Sequence, residues 1–394
     1  MEKYSRNIKL IKTSTVASSL EHLLKGQLGF LNRYFEVIGI AAGEKSLKIV
    51  ELREGIRTVR VNMKRHISPV NDVKSLVRLY KVFKKEKPHI VHSITPKAGL
   101  LSMLAAYGAG VPVRIHTFTG LIFPSKSGVF QKILILMDRL LCRMATNIYP
   151  EGLGVKNDLI KYKITNKPLK IIANGNINGT DTEYFNPASV SLAEKQELLE
   201  KLNIKKDDFV FIFIGRLVKD KGIDELVRAF SQLSALVTPI KLLLVGDFEK
   251  DLDPLSPQTE KKIELHPNII PVGWQNDIRP FLTISNVLAF PSYREGFPNV
   301  VLQAGAMGLP AIVTDINGCN EIIKEDVNGK IIAPKNVEML MEAMQYFLDH
   351  PSEINEMGLN ARELVVKKYD KNIVWEALLT EYEFLLKRSK NSNS

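Results

Sequence analysis

Short apolar runs alternate with amphipathic stretches along almost the whole of this chain. In the first half, residues 8–12, 35–41, 89–93, 113–117 and 170–173 read as buried strands. Helical spacing separates them, as in 72–85, where Val73, Leu76, Val77, Tyr80 and Phe83 recur at intervals that place them on one helix face. Near-continuous apolar strands joined by helices predict a parallel sheet covered on both faces. The alternation stops at the turn-rich stretch 173–181 and Pro187, then begins again. Its second set of strands is expected at 208–214, 241–245, 268–272, 287–290, 311–314 and 330–333. The pattern predicts two doubly wound α/β domains, 1–183 and 184–369, and a closing helix within 370–394. Two such domains facing each other leave a cleft, and ligands of such sheets bind beyond the carboxyl ends of the strands.

The length of 394 residues exceeds what one core ordinarily supports, which agrees with two domains. With 45% hydrophobic and 25% charged residues the chain has the composition of a soluble globular protein. Cys142 and Cys319 lie far apart, without the spacing of a metal site or disulfide framework, as expected in a reducing cytoplasm. The opening residues lack a secretory signal, and the apolar stretch 129–145 is broken by Lys132, Asp138, Arg139 and Arg143, which excludes a membrane span.

Charge changes this picture. Residues 1–186 hold 30 Lys and Arg against 13 Asp and Glu, a balance of +17, whereas 187–394 hold 24 against 30, a balance of −6. The basic half is expected to meet something anionic. No zinc finger, helix-turn-helix or aromatic-studded ribonucleoprotein motif accompanies it, so nucleic acid is not the expected partner. An anionic membrane face is, with the leucine-rich pattern 18–31 as a candidate apolar strip beside it.

Candidate chemistry lies at two strand ends. The run 209–214 ends in Gly215-Arg216 and continues to Lys221-Gly222 ahead of a helical pattern. Two cations there can neutralise a leaving diphosphate as its charge grows. The run 287–290 leads into Glu295-Gly296-Phe297-Pro298, with Pro298 expected as the first residue of a helix. Backbone N–H groups of Phe297, Asn299 and Val300 would then stand at its positive end, a seat for phosphate. Glu295 can accept hydrogen bonds from sugar hydroxyls, and Gln303 lies farther along the same helix. Asp251-Leu-Asp253 imitates a metal-binding carboxylate pair but stands in a loop remote from these cations.

Arg216 and Lys221 five apart, then Glu295 to Pro298 and a polar residue at 303, resemble the donor site of family-4 retaining glycosyltransferases of GT-B fold. Segments 89–99, 173–175, 272–274 and 291–292 resemble that family as well, so the likeness covers nearly the whole chain. The resemblance implies two facing Rossmann-like domains, an N-terminal one for acceptor and a C-terminal one for nucleotide sugar, with the terminal helix crossing back. It implies transfer of a hexosyl-type sugar from a nucleotide diphosphate, most simply UDP, with retained configuration and without a cofactor or protein-held metal. Arg216, Lys221 and Glu295 would be catalytic, Gly215, Gly296, Phe297, Pro298, Asn299, Val300 and Gln303 would hold the donor, and Gly273 and Trp274 would lie near the base. The implied acceptor is a lipid-linked or oligosaccharide glycan of capsule, O-antigen or exopolysaccharide synthesis, met at the inner face of the plasma membrane.

Two departures mark this chain. Gln303 replaces the family's usual glutamate, and an amide can still accept one hydrogen bond from ribose and donate another. Thr119, beside Gly120, stands where relatives carry histidine, with His116 three residues earlier; all three are candidates for the acceptor side. The segment 14–19 is expected to be a loop without the paired glycines of many relatives. Rival readings are a non-catalytic GT-B subunit that binds a nucleotide or a partner, and a nucleotide-sugar epimerase.

Overall fold

The computed structural model describes residues 8–64, 66, 68–237, 239–249 and 253–391. The chain divides into two compact units, 1–179 with 371–394, and 180–370. The first holds β1 (Lys9–Val16), β2 (Glu36–Ala42), β3 (Arg57–Arg60), β4 (Ile90–Ser93), β5 (Val113–Phe118) and β6 (Asn147–Pro150). The second holds β7 (Phe209–Ile214), β8 (Ile240–Val245), β9 (Ile269–Gly273), β10 (Val287–Phe290), β11 (Ala311–Thr314) and β12 (Gly329–Ile332). Each set forms a six-stranded sheet, in the orders β3-β2-β1-β4-β5-β6 and β12-β11-β10-β7-β8-β9. All named pairings are parallel, so both sheets are doubly wound with the same strand order.

Every residue of β4, β10 and β11 is buried, because helices cover both faces and the apolar runs have no solvent side. Two strands depart from expectation. β3, Arg-Thr-Val-Arg, and β6, which ends in proline, are four-residue edge strands too short and polar to stand out in the pattern. Residues 170–173 form no strand. Leu169 alone bridges Ile148, and Ala173 takes φ 49°, which ends extended backbone there.

Several helix faces differ as well. The helix expected at 72–85 runs Pro69–Glu86, and it buries Ser75, Leu79 and Phe83 while Val73, Val77 and Tyr80 stay exposed. On that inward side Ser75 Oγ donates to the Asn62 carbonyl at 2.6 Å and to the Asn71 carbonyl at 2.8 Å, so the polar residue is satisfied where it is buried. β1 runs on to Val16 and passes directly into helix Ala17–Leu23, so 14–16 are strand and the expected loop is absent. The leucine-rich stretch after it is core: Leu20, Leu24, Leu28 and Leu31 are fully buried, and the candidate membrane strip is overturned. Helix Lys371–Asn391 belongs to the first unit, where Leu378, Leu379, Tyr382, Leu385 and Leu386 join the core with Leu10 and Leu28.

Candidate functional site

In the second unit, β7 and β10 are neighbours, so the loops at their carboxyl ends meet. The β7 loop makes a 3₁₀ turn at Lys219–Lys221 and enters helix Ile223–Leu233 through Gly222. Gly222 has φ +71°, and a Cβ there would lie 2.1 Å from the Pro291 carbonyl oxygen, so only glycine lets the two loops touch. The contact is closed by the Tyr293 N–H donating to the Asp220 carbonyl at 2.8 Å. Lys221 Nζ then forms an ion pair with Glu295, and both side chains are largely buried. Fully buried Ser292 donates its hydroxyl to the same carboxylate oxygen at 2.8 Å. The ammonium also stands 5.6 Å from the centre of the Phe290 ring.

Arg216 pairs with Glu249, from the loop after β8, and its side chain is half exposed. An exposed pair of this kind contributes little stability, so Arg216 can leave Glu249 for a more strongly charged anion at low cost. The Lys221 ammonium has three donors, and one suffices for Glu295. Two cations of the β7 loop, held by carboxylates from the loops after β8 and β10, can therefore stabilise a diphosphate that gains charge as its bond to a sugar breaks.

Helix Asn299–Ala306 follows shortly after Glu295 and has no side-chain cap, since its N-cap residue is Pro298, while the Glu295 carboxylate is engaged by Lys221 and Ser292. Pro298 is the N-cap residue rather than the first helical one, and its carbonyl accepts from the Val301 N–H at 3.2 Å. Gly318 closes over this turn, where a Cβ would stand 2.5 Å from the Gly296 carbonyl oxygen. Phe297 is buried with its ring 5.4 Å from that of Tyr369, so its side chain anchors the turn. Asn299 and Val300 are half-buried at the helix start. Gln303, also half-buried, makes no side-chain hydrogen bond among the described residues, and its amide is available to a ligand.

Gly273 ends β9, with its carbonyl accepting from the Gly246 N–H at 2.9 Å. The next N–H, of Trp274, donates to Asp247 Oδ1 at 3.0 Å, and the indole is exposed. Asp247, Glu249 and Ser292 are thus site residues that sequence reasoning missed. Asp247 carried a signal, as a carboxylate directly after a strand-end glycine, and Ser292 lay in the family-like segment 291–292 without a role assigned to it. Of the carboxylate pair in the next loop, Asp251 lies outside the described residues, and Asp253 accepts from the Asp220 N–H at 2.6 Å.

The first unit separates its three candidates. His116 lies inside β5, fully buried, with Nδ1 2.8 Å from Ser93 Oγ and its ring edge-on to Phe118. A Cβ on Gly99 would come within 2.5 Å of that ring, and burial lowers the imidazole pKa to about 3. This is a neutral packing group, and the expectation of an acceptor-side histidine is corrected. Thr119 and Gly120 do stand at the β5 carboxyl end, where Thr119 Oγ1 donates to the Ile94 carbonyl at 2.9 Å. A second buried cluster was not expected: Lys12 Nζ meets His92 Nδ1 and the Tyr382 hydroxyl, both at 3.2 Å, and His92 Nε2 lies 2.8 Å from Thr117 Oγ1.

Comparisons with known proteins bear on the family and the fold. Residues 194–364 match the family described as glycosyl transferases group 1, and 36–175 match the glycosyl transferase 4-like domain. The chain is 32% identical to the capsular polysaccharide biosynthesis glycosyltransferase CapM of Staphylococcus aureus, over 98% of this chain and 99% of that one. It is 33% identical, over 78% of each chain, to the Escherichia coli UDP-Gal:alpha-D-GlcNAc-diphosphoundecaprenol alpha-1,3-galactosyltransferase. Among solved structures, Anabaena HepE in complex with UDP and glucose superposes with a TM-score of 0.80 at 16% identity, over 96% of this chain and all (100%) of that one. The described fold, the paired strand-end cations and these relatives together place the chain in the family-4 type glycosyltransferases of GT-B fold, among enzymes of cell-surface polysaccharide synthesis.

Proposed function

We propose that this glycosyltransferase moves a sugar from UDP to a glycan carried on a lipid diphosphate, with retention at the anomeric carbon. The observation that carries the reading is the largely buried Lys221–Glu295 pair with Arg216 earlier in the same β7 loop. Lys221 and Arg216 bind the diphosphate, and Glu295 accepts hydrogen bonds from donor-sugar hydroxyls. Gln303 meets the ribose, and the backbone around Gly273 and Trp274 meets the uracil. In the reaction the bond from the anomeric carbon to the β-phosphate oxygen breaks, and a bond to the acceptor oxygen forms on the same face. The acceptor proton passes to a β-phosphate oxygen, whose growing charge the two cations stabilise. UDP and a lipid-diphosphate acceptor are supported by the E. coli relative, whose name states both.

Contact with the cytoplasmic membrane face belongs to the same proposal. No helix among the described residues is long and apolar enough to cross a membrane. Helix Gly128–Met144 instead leaves Val129, Ile133, Leu136 and Leu140 exposed, with Lys132, Arg139 and Arg143 on the same helix. The test of function is a thermal-shift screen with UDP, GDP, ADP and TDP, followed by transfer with the matching nucleotide sugars and NMR of the product anomer. Stabilisation by UDP that is lost in Arg216→Ala and Lys221→Ala, with a retained anomer, supports the reading. No nucleotide response, or an inverted product, overturns it.

A further inference from the structure

The helix Gly128–Met144 is unusual in how little of it is buried. Only Leu141 and Cys142 lie in the core, although most of its length is apolar. Val129, Ile133, Leu136 and Leu140 occupy one face. Phe130, Leu134 and Met137, on the face beside it, wall a cavity of about 350 Å³. Leu100 closes another side, and Phe118, Gly120, Leu121 and Ile122 close the β5 end. The cavity thus begins at the carboxyl end of an interior strand, at Gly120, and runs to an exposed apolar helix face. Phe130 belongs to both, lining the cavity while remaining 45% exposed.

Water fills such a space poorly, because most of its wall offers no hydrogen-bond partner. Charge at the wall is sparse and mostly engaged. Lys97 is held by both oxygens of Asp72, at 2.8 and 2.9 Å. Among the described residues no cation pairs with Asp138, and burial lifts its carboxyl to about 7, so near neutrality a large share of it is uncharged. The occupant this favours is an apolar chain with its polar head at Gly120 and its tail directed over Phe130.

Resting on the proposed lipid-linked acceptor, we propose that this cavity seats the isoprenoid chain of the acceptor, its first isoprene units beside Gly120 and the remainder along the exposed face of helix Gly128–Met144. The chain then helps bind the acceptor as well as anchoring it in the bilayer. An acceptor whose lipid fits this cavity gains affinity that the same glycan on a soluble carrier lacks.

Farnesyl diphosphate is a soluble probe of the cavity. Calorimetry of the full chain, with the donor site saturated by UDP, compares it with inorganic diphosphate. The expected result is one saturable site for farnesyl diphosphate, at least about tenfold tighter than inorganic diphosphate. Met137→Trp, which fills the cavity, and Phe130→Ser, at its exposed mouth, should each weaken that binding by about tenfold or more. Neither should alter UDP affinity, and Phe130→Ser serves where Met137→Trp disturbs folding. Equal affinity for the two diphosphates, or farnesyl diphosphate binding indifferent to Phe130→Ser, overturns the proposal. So does a loss confined to binding of phosphatidylglycerol vesicles, which would make the helix a membrane contact only. The reading of function fails separately, through absent UDP binding or absent sugar transfer.

Discussion

Glu295 serves two groups at once: it holds the Lys221 ammonium and accepts from the buried Ser292 hydroxyl. Glu295→Gln keeps an acceptor for Ser292 but removes the charge that positions Lys221. Steady-state transfer rates should fall by about 10²–10³, the cost typical of removing one preorganised electrostatic contact. Calorimetry should find UDP affinity changed only a few-fold. Lys12 is the second residue with a measurable consequence. Fully buried against His92 and Tyr382, its amine is lowered by desolvation from 10.5 to about 7. Between those values the unfolded chain binds a proton that the folded chain does not. Stability should therefore rise with pH from about 7 towards 10.5 relative to Lys12→Met, and level off above. Urea unfolding of both proteins at several pH values checks the slope.

Among the elements, the turn before helix Ile223–Leu233 is the most constrained. Gly222→Ala adds a Cβ 2.1 Å from the Pro291 carbonyl oxygen at a positive φ. It should destabilise the second unit by at least about 1 kcal/mol and shift Lys221 away from Glu295. Thermal unfolding and transfer rates read the two effects separately. Long buried strands such as β7 and β8 were legible, because an apolar run covered on both faces needs no partner to be recognised. The edge strands β3 and β6 were not, since four-residue segments, one partly solvated and the other ending in proline, resemble loops until a neighbour pairs with them. Helix Pro69–Glu86 was legible as a helix but not in its buried face, which includes the polar Ser75, satisfied there by the Asn62 carbonyl.

For the whole molecule, the charge division has a consequence in salt. Residues 1–186 carry a balance of +17 and also contain the exposed face of helix Gly128–Met144. Flotation with phosphatidylglycerol vesicles should therefore show binding that weakens between low salt and about 0.5 M, where the Debye length falls to about 4 Å and longer-range attraction is screened. Leu136→Asp should reduce it at every salt concentration, because it removes apolar insertion rather than attraction. Binding unaffected by salt and by this change would place the membrane contact on another surface, and no flotation at any salt concentration would separate the protein from the membrane.

By itself the sequence determined the alternation of strands and helices, the two doubly wound sheets, and the identity of the residues at the ends of β7 and β10. Those features follow from local periodicity and from which residue types suit a strand end or a helix start. Only the tertiary structure decided that Glu295 binds Lys221 rather than capping its helix, that His116 is buried under Gly99, and that Asp247, Glu249 and Ser292 join the site. It also moved the exposed apolar surface from 18–31 to helix Gly128–Met144. These outcomes depend on which segments meet across the sheet. Residues 74 apart, as Lys221 and Glu295 are, become neighbours only when their strands pair.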